Sequence, residues 1–288
     1  MSSSPTPIAI KINPALPRSL TSISNQPILP APNPSLFGYP NPSSSSSSSS
    51  SPSFKFHPLP SSLLPDHVPP PDHGAAASST PRPILLIIPT SNASKTKLLT
   101  SHLTARLQSG AGGELSVLTI PASSEAGEQP YDDQGILGAY NRINNALLQL
   151  PDHLPPAGDG SAAVTPAPTV IVGAVENFIS RSGPAPAVDY GAVVLYNATS
   201  GQVKVGISRG VQVPTEYWRE AETYGFEDGA QESEEEGKKG KVTVGEVLAA
   251  HFEGDQLDKA DWHKVLSAGN VSRYELLSDA LEEVGVPW

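Results

Sequence analysis

The stretch Pro83-Ile84-Leu85-Leu86-Ile87-Ile88-Pro89-Thr90-Ser91-Asn92-Ala93-Ser94-Lys95 constrains this chain more than any other. Five aliphatic residues between two prolines predict a short strand buried on both faces. After the polar run Thr90 to Lys95, Leu98, Leu99, Leu103 and Leu107 recur with the 3.6-residue period of a helix. Ser91, Asn92 and Ser94 are all suitable N-caps. The first backbone N–H groups of such a helix lack partners and point where an anion can sit. Lys95 adds positive charge at the same end, which the helix dipole disfavours unless a negative ligand neutralises it. Two readings follow, a phosphate cradle or a well-capped helix with its lysines in solvent. The turn lacks the glycines and the GK[ST] ending of a P-loop, and no GxGxxG occurs.

The first 80 residues have a different character. Ser43 to Ser51 is an unbroken serine run, and prolines recur from Pro5 to Pro71. A segment so poor in apolar residues cannot offset its ordering entropy by burial, so residues 1–80 are expected to be disordered. Their prolines favour extended stretches on which SH3-like or WW-like partners dock, or which serve as spacers. Residues 81–288 are then the folded domain, of ordinary single-domain size.

Charge narrows the partners. Of 18 basic and 29 acidic residues, the first 80 hold three and two, so the remainder carries about −12. General nucleic-acid binding, which needs a basic footprint, is not expected. A phosphate ligand would need a local cationic site or a metal. There is no cysteine, which excludes disulfides, thiolate zinc sites and cysteine nucleophiles. Ile84 to Ile88, the longest aliphatic run, is far too short to span a bilayer. The residues after Met1 lack a charged region before an apolar core, so no signal peptide is expected, and three Asn-x-Ser/Thr matches are read as chance.

Further along, Leu115 to Ile120 predict a second strand, and the loop Ala122 to Asp133 contains Gln129-Pro130-Tyr131-Asp132-Asp133. Ile136, Ala139, Tyr140, Ile143, Ala146, Leu147 and Leu150 mark a helix capped by Asp132 or Asp133 and stopped by Pro151. Arg142 on this helix would clamp phosphate or form an ordinary ion pair. A Pro/Ala/Gly insertion at 152–168 precedes a third strand, Thr169 to Val175, with Glu176 and Asn177 at its end. Ligands collect beyond the carboxyl ends of strands in open α/β sheets, so Glu176 is either a metal ligand or general base, or a carboxylate in water or paired with Arg181. Two alternating segments around Asn197 to Gly201 predict a hairpin, hence a partly antiparallel sheet. A helix starts after Val213-Pro214, an acidic loop spans 227–241, and helices capped by Thr243 and Ser272 follow, the latter in a capping box with Glu275.

The order Ser91-Asn92-x-x-Lys95, Gln129-Pro130, Gly138-Ala139-x-Asn141-Arg142 and Val172-Gly173-x-x-Glu176 resembles the inosine/xanthosine triphosphatase family of noncanonical purine NTP phosphatases. Val175-Glu176-Asn177-Phe178-Ile179, Val213-Pro214, Val242 to Leu248 and Asp261-Trp262-His263 resemble its eukaryotic proline-rich coiled-coil (PRRC) branch. The resemblance implies an α/β, three-layer fold with a mixed central sheet over residues 81–288. It implies Mg²⁺-dependent removal of phosphate from inosine and xanthosine triphosphates, with Thr90, Ser91, Asn92, Lys95, Gly138, Asn141 and Arg142 around the substrate. By the same carry-over Glu176 would be catalytic and hold the metal, whereas Asp133 as a catalytic acid and Asp132 as a metal ligand are substitutes for family carboxylates absent from this chain.

Two departures from the family pattern bear on activity. The enzymes place an acid where this chain has Ser123 or Ser124, and another in the strand that here reads Thr169-Val170-Ile171. Mg²⁺ sites need one or two carboxylates with phosphates and waters. The sequence therefore leads to a catalytically degenerate regulatory or scaffolding module. The resemblance implies a cytoplasmic or Golgi-associated setting, the type I regulatory subunit of protein kinase A as partner, purine nucleotide as ligand and a homodimer. The alternative is an active Mg²⁺-dependent phosphatase.

Overall fold

The computed structural model describes residues 10, 13–16, 20–37, 54–64, 82–111, 113–154, 167–181, 186–226, 239–252 and 257–288. The serine run Ser43 to Ser51, residues 155–166 of the 152–168 insertion and most of the acidic loop lie outside them. In chain order the elements are α1 (Leu20–Ile23), β1 (Ile28–Leu29), β2 (Ile84–Ile88), α2 (Ala93–Arg106), β3 (Leu115–Thr119), β4 (Gln129–Pro130) and α3 (Gln134–His153). Then come β5 (Thr169–Ser180), β6 (Val188–Asn197), β7 (Gln202–Ile207), β8 (Gly210–Gln212), α4 (Thr215–Gly225) and β9 (Lys239–Gly240). The chain closes with α5 (Val244–His251), α6 (His263–Leu266) and α7 (Arg273–Val284).

The protein has an α/β fold with a mixed central sheet of order β1-β8-β6-β5-β2-β3, in which β7 also pairs with β6. β2 runs parallel to β3 and β5, while β5–β6 and β6–β7 are antiparallel hairpins. The aliphatic run of β2 is explained by this place: a central parallel strand with helices over both faces has no polar side. Leu86, Ile87 and Ile88 are completely buried. Alternation along β5 sends Val170, Val172, Ala174 and Phe178 toward the α3 layer, and Ile171 and Val175 toward α2 and α7. A third apolar cluster joins α4, α5, α6 and the start of α7 around the fully buried Tyr217 and Trp262.

Three findings extend or correct the sequence reading. β5 does not stop at Val175; it continues through Glu176 and Asn177 to Ser180, because β6 pairs with it as far as Ser180↔Val188. Its parallel neighbour β2 ends at Ile88, and their pairing ends at Ile87↔Val172, so more than half of β5 projects past the parallel strands. The helix α3 is not stopped at Pro151 but runs to His153; proline within the last turn removes one N–H while the rest of the turn persists. Within the first 80 residues, which composition marks as unable to pack, described portions do pack. Ile28 and Leu29 add an edge strand to β8, and Ile23, Leu59 and Leu63 are buried. Sparse apolar residues suffice here because a preformed face receives them, a condition that composition cannot register.

Candidate functional site

The turn after β2 begins the site. Asn92 caps α2, its Oδ1 accepting from the Lys95 N–H at 3.0 Å, and the Thr90 hydroxyl accepts from the Asn92 N–H at 3.1 Å. Ser91 is exposed at the tip of this turn. The capped first turn directs Lys95 back across the end of β2 onto the projecting part of β5. There Nζ donates to the Val175 carbonyl at 2.9 Å and lies 3.8 Å from Glu176 Oε2. Burial lowers the Lys95 pKa from its ordinary value, against the opposing pull of Glu176.

Glu176 faces α3. Arg142 Nε donates to Oε2 at 2.7 Å and a terminal nitrogen to Oε1 at 3.4 Å, while the other terminal nitrogen reaches the Ala122 carbonyl at 2.6 Å. Glu176 is 5% exposed, so this carboxylate is a buried ion pair with two cations. Of the alternatives open in the sequence, pairing holds, but with Arg142 and Lys95 rather than Arg181. Asn141 donates to the Ser124 carbonyl at 2.9 Å and Asn145 to the Ser123 carbonyl at 3.1 Å. Asn141 and Arg142 thus fasten the loop 122–126 onto α3. Gly138 serves the same junction: a Cβ there would stand 2.9 Å from Ala126 Cβ, 3.3 Å from Ser124 Cβ and 3.4 Å from Glu176 Cγ. Its lack of a side chain lets the loop and Glu176 close on the helix.

Asp132 is elsewhere. Its carboxylate accepts from the Arg181 backbone N–H at 2.7 Å and from Nε at 3.2 Å. That contact lies five residues beyond Glu176 along β5, roughly 16 Å at about 3.3 Å per residue. Asp133 stands at the start of α3 beside it without a side-chain cap bond. The structure places Asp132, expected to share a metal with Glu176, on Arg181 instead, and Asp133, expected to act with Glu176, next to Asp132 at the start of α3. Among the described residues no group of three or more His, Cys, Asp or Glu could hold a metal ion. The residues present do not fit Mg²⁺: both Glu176 oxygens are engaged by cations. Ser124, buried against Gly138 as Glu176 is, offers a hydroxyl and not a second carboxylate.

A cleft of about 340 Å³ opens beside this ion pair. Asn92, Lys95, Gln129, Glu176 and Asn177 line it together with Thr243, Glu246, Lys259, Trp262, Arg273 and Tyr274. The helices α2, α5 and α7 all present their first turns to it, so three positive dipole ends converge. Protein groups occupy part of each end: Gln129 Oε1 accepts from the Val244 N–H and Asp261 Oδ1 from the Arg273 N–H. Both polar atoms of the Asn177 side chain are buried without a hydrogen-bond partner among the described residues. Arg273 also donates to the buried Asp189 at 2.9 Å, and His263 lies 3.5 Å from the other Asp189 oxygen.

Lys259, Arg273 and Asn177 as a cleft wall were not singled out from sequence. The capping box at Ser272 locates the start of α7, but which helix starts share a cleft depends on how α5 and α7 pack. Burial of His263 against Trp262 lowers its pKa below the usual 6.5, and burial lowers that of His102 as well. In each case the unfolded chain binds the proton more readily. Stability is thus undiminished above about pH 6.5 and falls as pH drops through the unfolded-state pKa toward the lower folded one. Urea midpoints should fall from pH 7 to pH 5, and His263→Asn should flatten that slope.

No family model and no curated protein matches this chain. A solved structure described as protein VC0702 from Vibrio cholerae is similar to it with a TM-score of 0.45 and 16% identity, over 69% of this chain and 91% of that one. Among the described residues, no helix is long and apolar enough to cross a membrane.

Proposed function

We propose that this protein is a non-hydrolysing, phosphate-responsive module whose cleft receives the phosphates of a purine nucleotide and whose role is regulatory or scaffolding. The observation that carries the reading is the convergence of three helix N-termini on one cleft with Lys95, Lys259 and Arg273. The Asn177 amide, without a partner among the described residues, offers a donor and an acceptor in the same cleft. Glu128, Glu176 and Glu246 line the cleft too, which offsets the cations and favours modest affinity. Loss of hydrolysis follows from Glu176. Phosphoryl transfer relies on charge neutralisation and a positioned nucleophile, and a carboxylate held by Arg142 and Lys95 supplies neither a metal site nor a base. The type I regulatory subunit of protein kinase A, a homodimer, and a cytoplasmic or Golgi-associated setting belong to this proposal through the family resemblance alone.

The test uses the full chain with inosine triphosphate and xanthosine triphosphate in the presence of Mg²⁺. Calorimetric titration should show binding that weakens at least about tenfold in Lys95→Met, while phosphate release stays at the level of that variant. Turnover abolished by Lys95→Met would overturn the non-hydrolysing reading and make the protein an active phosphatase. Absence of binding would overturn the nucleotide reading.

A further inference from the structure

Residues 54–63, Phe54-Lys55-Phe56-His57-Pro58-Leu59-Pro60-Ser61-Ser62-Leu63, lie on the α3 side of the sheet, packed into the cluster formed by α3, β5 and β6. The Phe54 ring stacks on Tyr140 of α3 at 4.3 Å between centroids. Phe56 stacks on Tyr196 of β6 at 4.1 Å and on Tyr140 at 5.4 Å. Leu59 and Leu63 are buried in the same cluster, whereas Lys55, His57 and Pro58 face outward. The alternation of Phe54 and Phe56 is that of an extended peptide presenting every second side chain.

Its backbone is not built into the sheet. None of residues 54–64 belongs to a strand of either sheet, and the segment reaches α3 through the His57 N–H, which donates to Asn144 Oδ1 at 2.8 Å. Pro60 holds φ −55° and ψ 143°, the polyproline conformation, so little freedom is lost when that part docks. Side chains seated in an aromatic groove, with an extended backbone over residues 54–60 that ends in a single 3-10 turn at Ser61–Leu63, are the construction of a bound linear peptide.

We propose that this face of α3 and β6 is a peptide-recognition groove, occupied in cis by residues 54–63. Its trans partner is an extended peptide with aromatic residues two apart and leucine three positions after the second. The segment is the tethered competitor: a short tether presents it at an effective concentration of about 1 mM, so a trans peptide of equal intrinsic affinity is excluded until the tethered copy is displaced. The groove is independent of the nucleotide reading, since its residues and those of the cleft are different.

The experiment measures fluorescence anisotropy of a labelled synthetic peptide with the sequence of residues 52–65, against a control peptide with alanine for both phenylalanines. The receptors are the full chain and its Phe54→Ala/Phe56→Ala variant. The variant should bind the peptide at least about tenfold more tightly than the unaltered chain does, and should ignore the control. Equal binding to both receptors, or none to the variant, overturns the proposal. A second arm keeps every side chain of the groove and segment: protease sites are inserted at residues 45–46 and 72–73 of the full chain, which is then cut. The freed segment should dissociate on dilution, leave a soluble, folded domain and be replaced by the labelled peptide. If it stays bound until denaturant unfolds the domain, or if its loss precipitates the domain, the segment is integral core and the proposal fails. Concentration-dependent dimerisation of the variant through the remaining segment would equally overturn the assignment of a trans peptide, in favour of a second copy.

Discussion

Replacing Glu176 by alanine should destabilise the protein by about 3–5 kcal/mol, the range for breaking a buried ion pair on one side. The size follows from what is left behind. Arg142 and Lys95 are 23% and 16% exposed in their side chains, so neither regains full hydration when the carboxylate goes. Lys95 keeps the Val175 carbonyl and Arg142 the Ala122 carbonyl, but two positive groups then face each other without the acid between them. Urea unfolding of Glu176→Ala should therefore show a much lower midpoint with an unchanged slope. Arg142→Met in the same background should recover part of the loss by removing one uncompensated charge, a non-additivity readable in a double-mutant cycle. If Glu176→Ala costs less than 1 kcal/mol, Glu176 is not the electrostatic keystone described above, and the case against a free catalytic carboxylate weakens with it.

Trp262→Ala should have a comparable effect, about 3–5 kcal/mol, through cavity formation. The indole is 1% exposed, stacks on His263 at 3.9 Å and belongs to the cluster joining α4, α5 and α6. At roughly 2–4 °C per kcal/mol for a domain of this size, the melting temperature should drop by about 10 °C. The same residue lines the cleft. Its loss should also free the segment carrying Lys259, so nucleotide affinity should fall in Trp262→Ala even under conditions where the domain stays folded. Trp262→Phe, which keeps an aromatic ring, should recover most of the stability. Retained affinity in folded Trp262→Ala would show that the wall holding Lys259 does not depend on the indole.

The two regions where sequence and structure part ways do so for one reason. The resemblance assembled Lys95, Arg142 and Glu176 from three separated segments, and the structure brings them within ion-pair reach. Asp132 and Asp133 entered as substitutes for the missing family acids, yet Asp132 turns to Arg181 at the far end of β5. The direction a loop residue takes is set by the element it docks on. Here that is the tail of β5, where the Asp132 N–H donates to the Ile179 carbonyl. Asn141 and Gly138, expected around the substrate, lie against the loop 122–126 and hold it on α3.

What the sequence by itself determined is local. The proline-bounded aliphatic run is β2, a cap among Ser91, Asn92 and Ser94 starts α2, Thr243 caps α5, and the capping box at Ser272 starts α7. Each follows from chemistry within a few residues: period, cap hydrogen bonds, proline's missing N–H. Only the tertiary structure decided that three helix starts face one cleft, that β5 outruns β2, and that Phe54 and Phe56 find two tyrosines to stack on. Those outcomes depend on long-range pairing and docking, where a residue's partner lies tens to hundreds of positions away and leaves no periodic trace beside it. A lone phenylalanine pair in a serine- and proline-rich stretch is indistinguishable from solvent-exposed chain until the groove that receives it has formed.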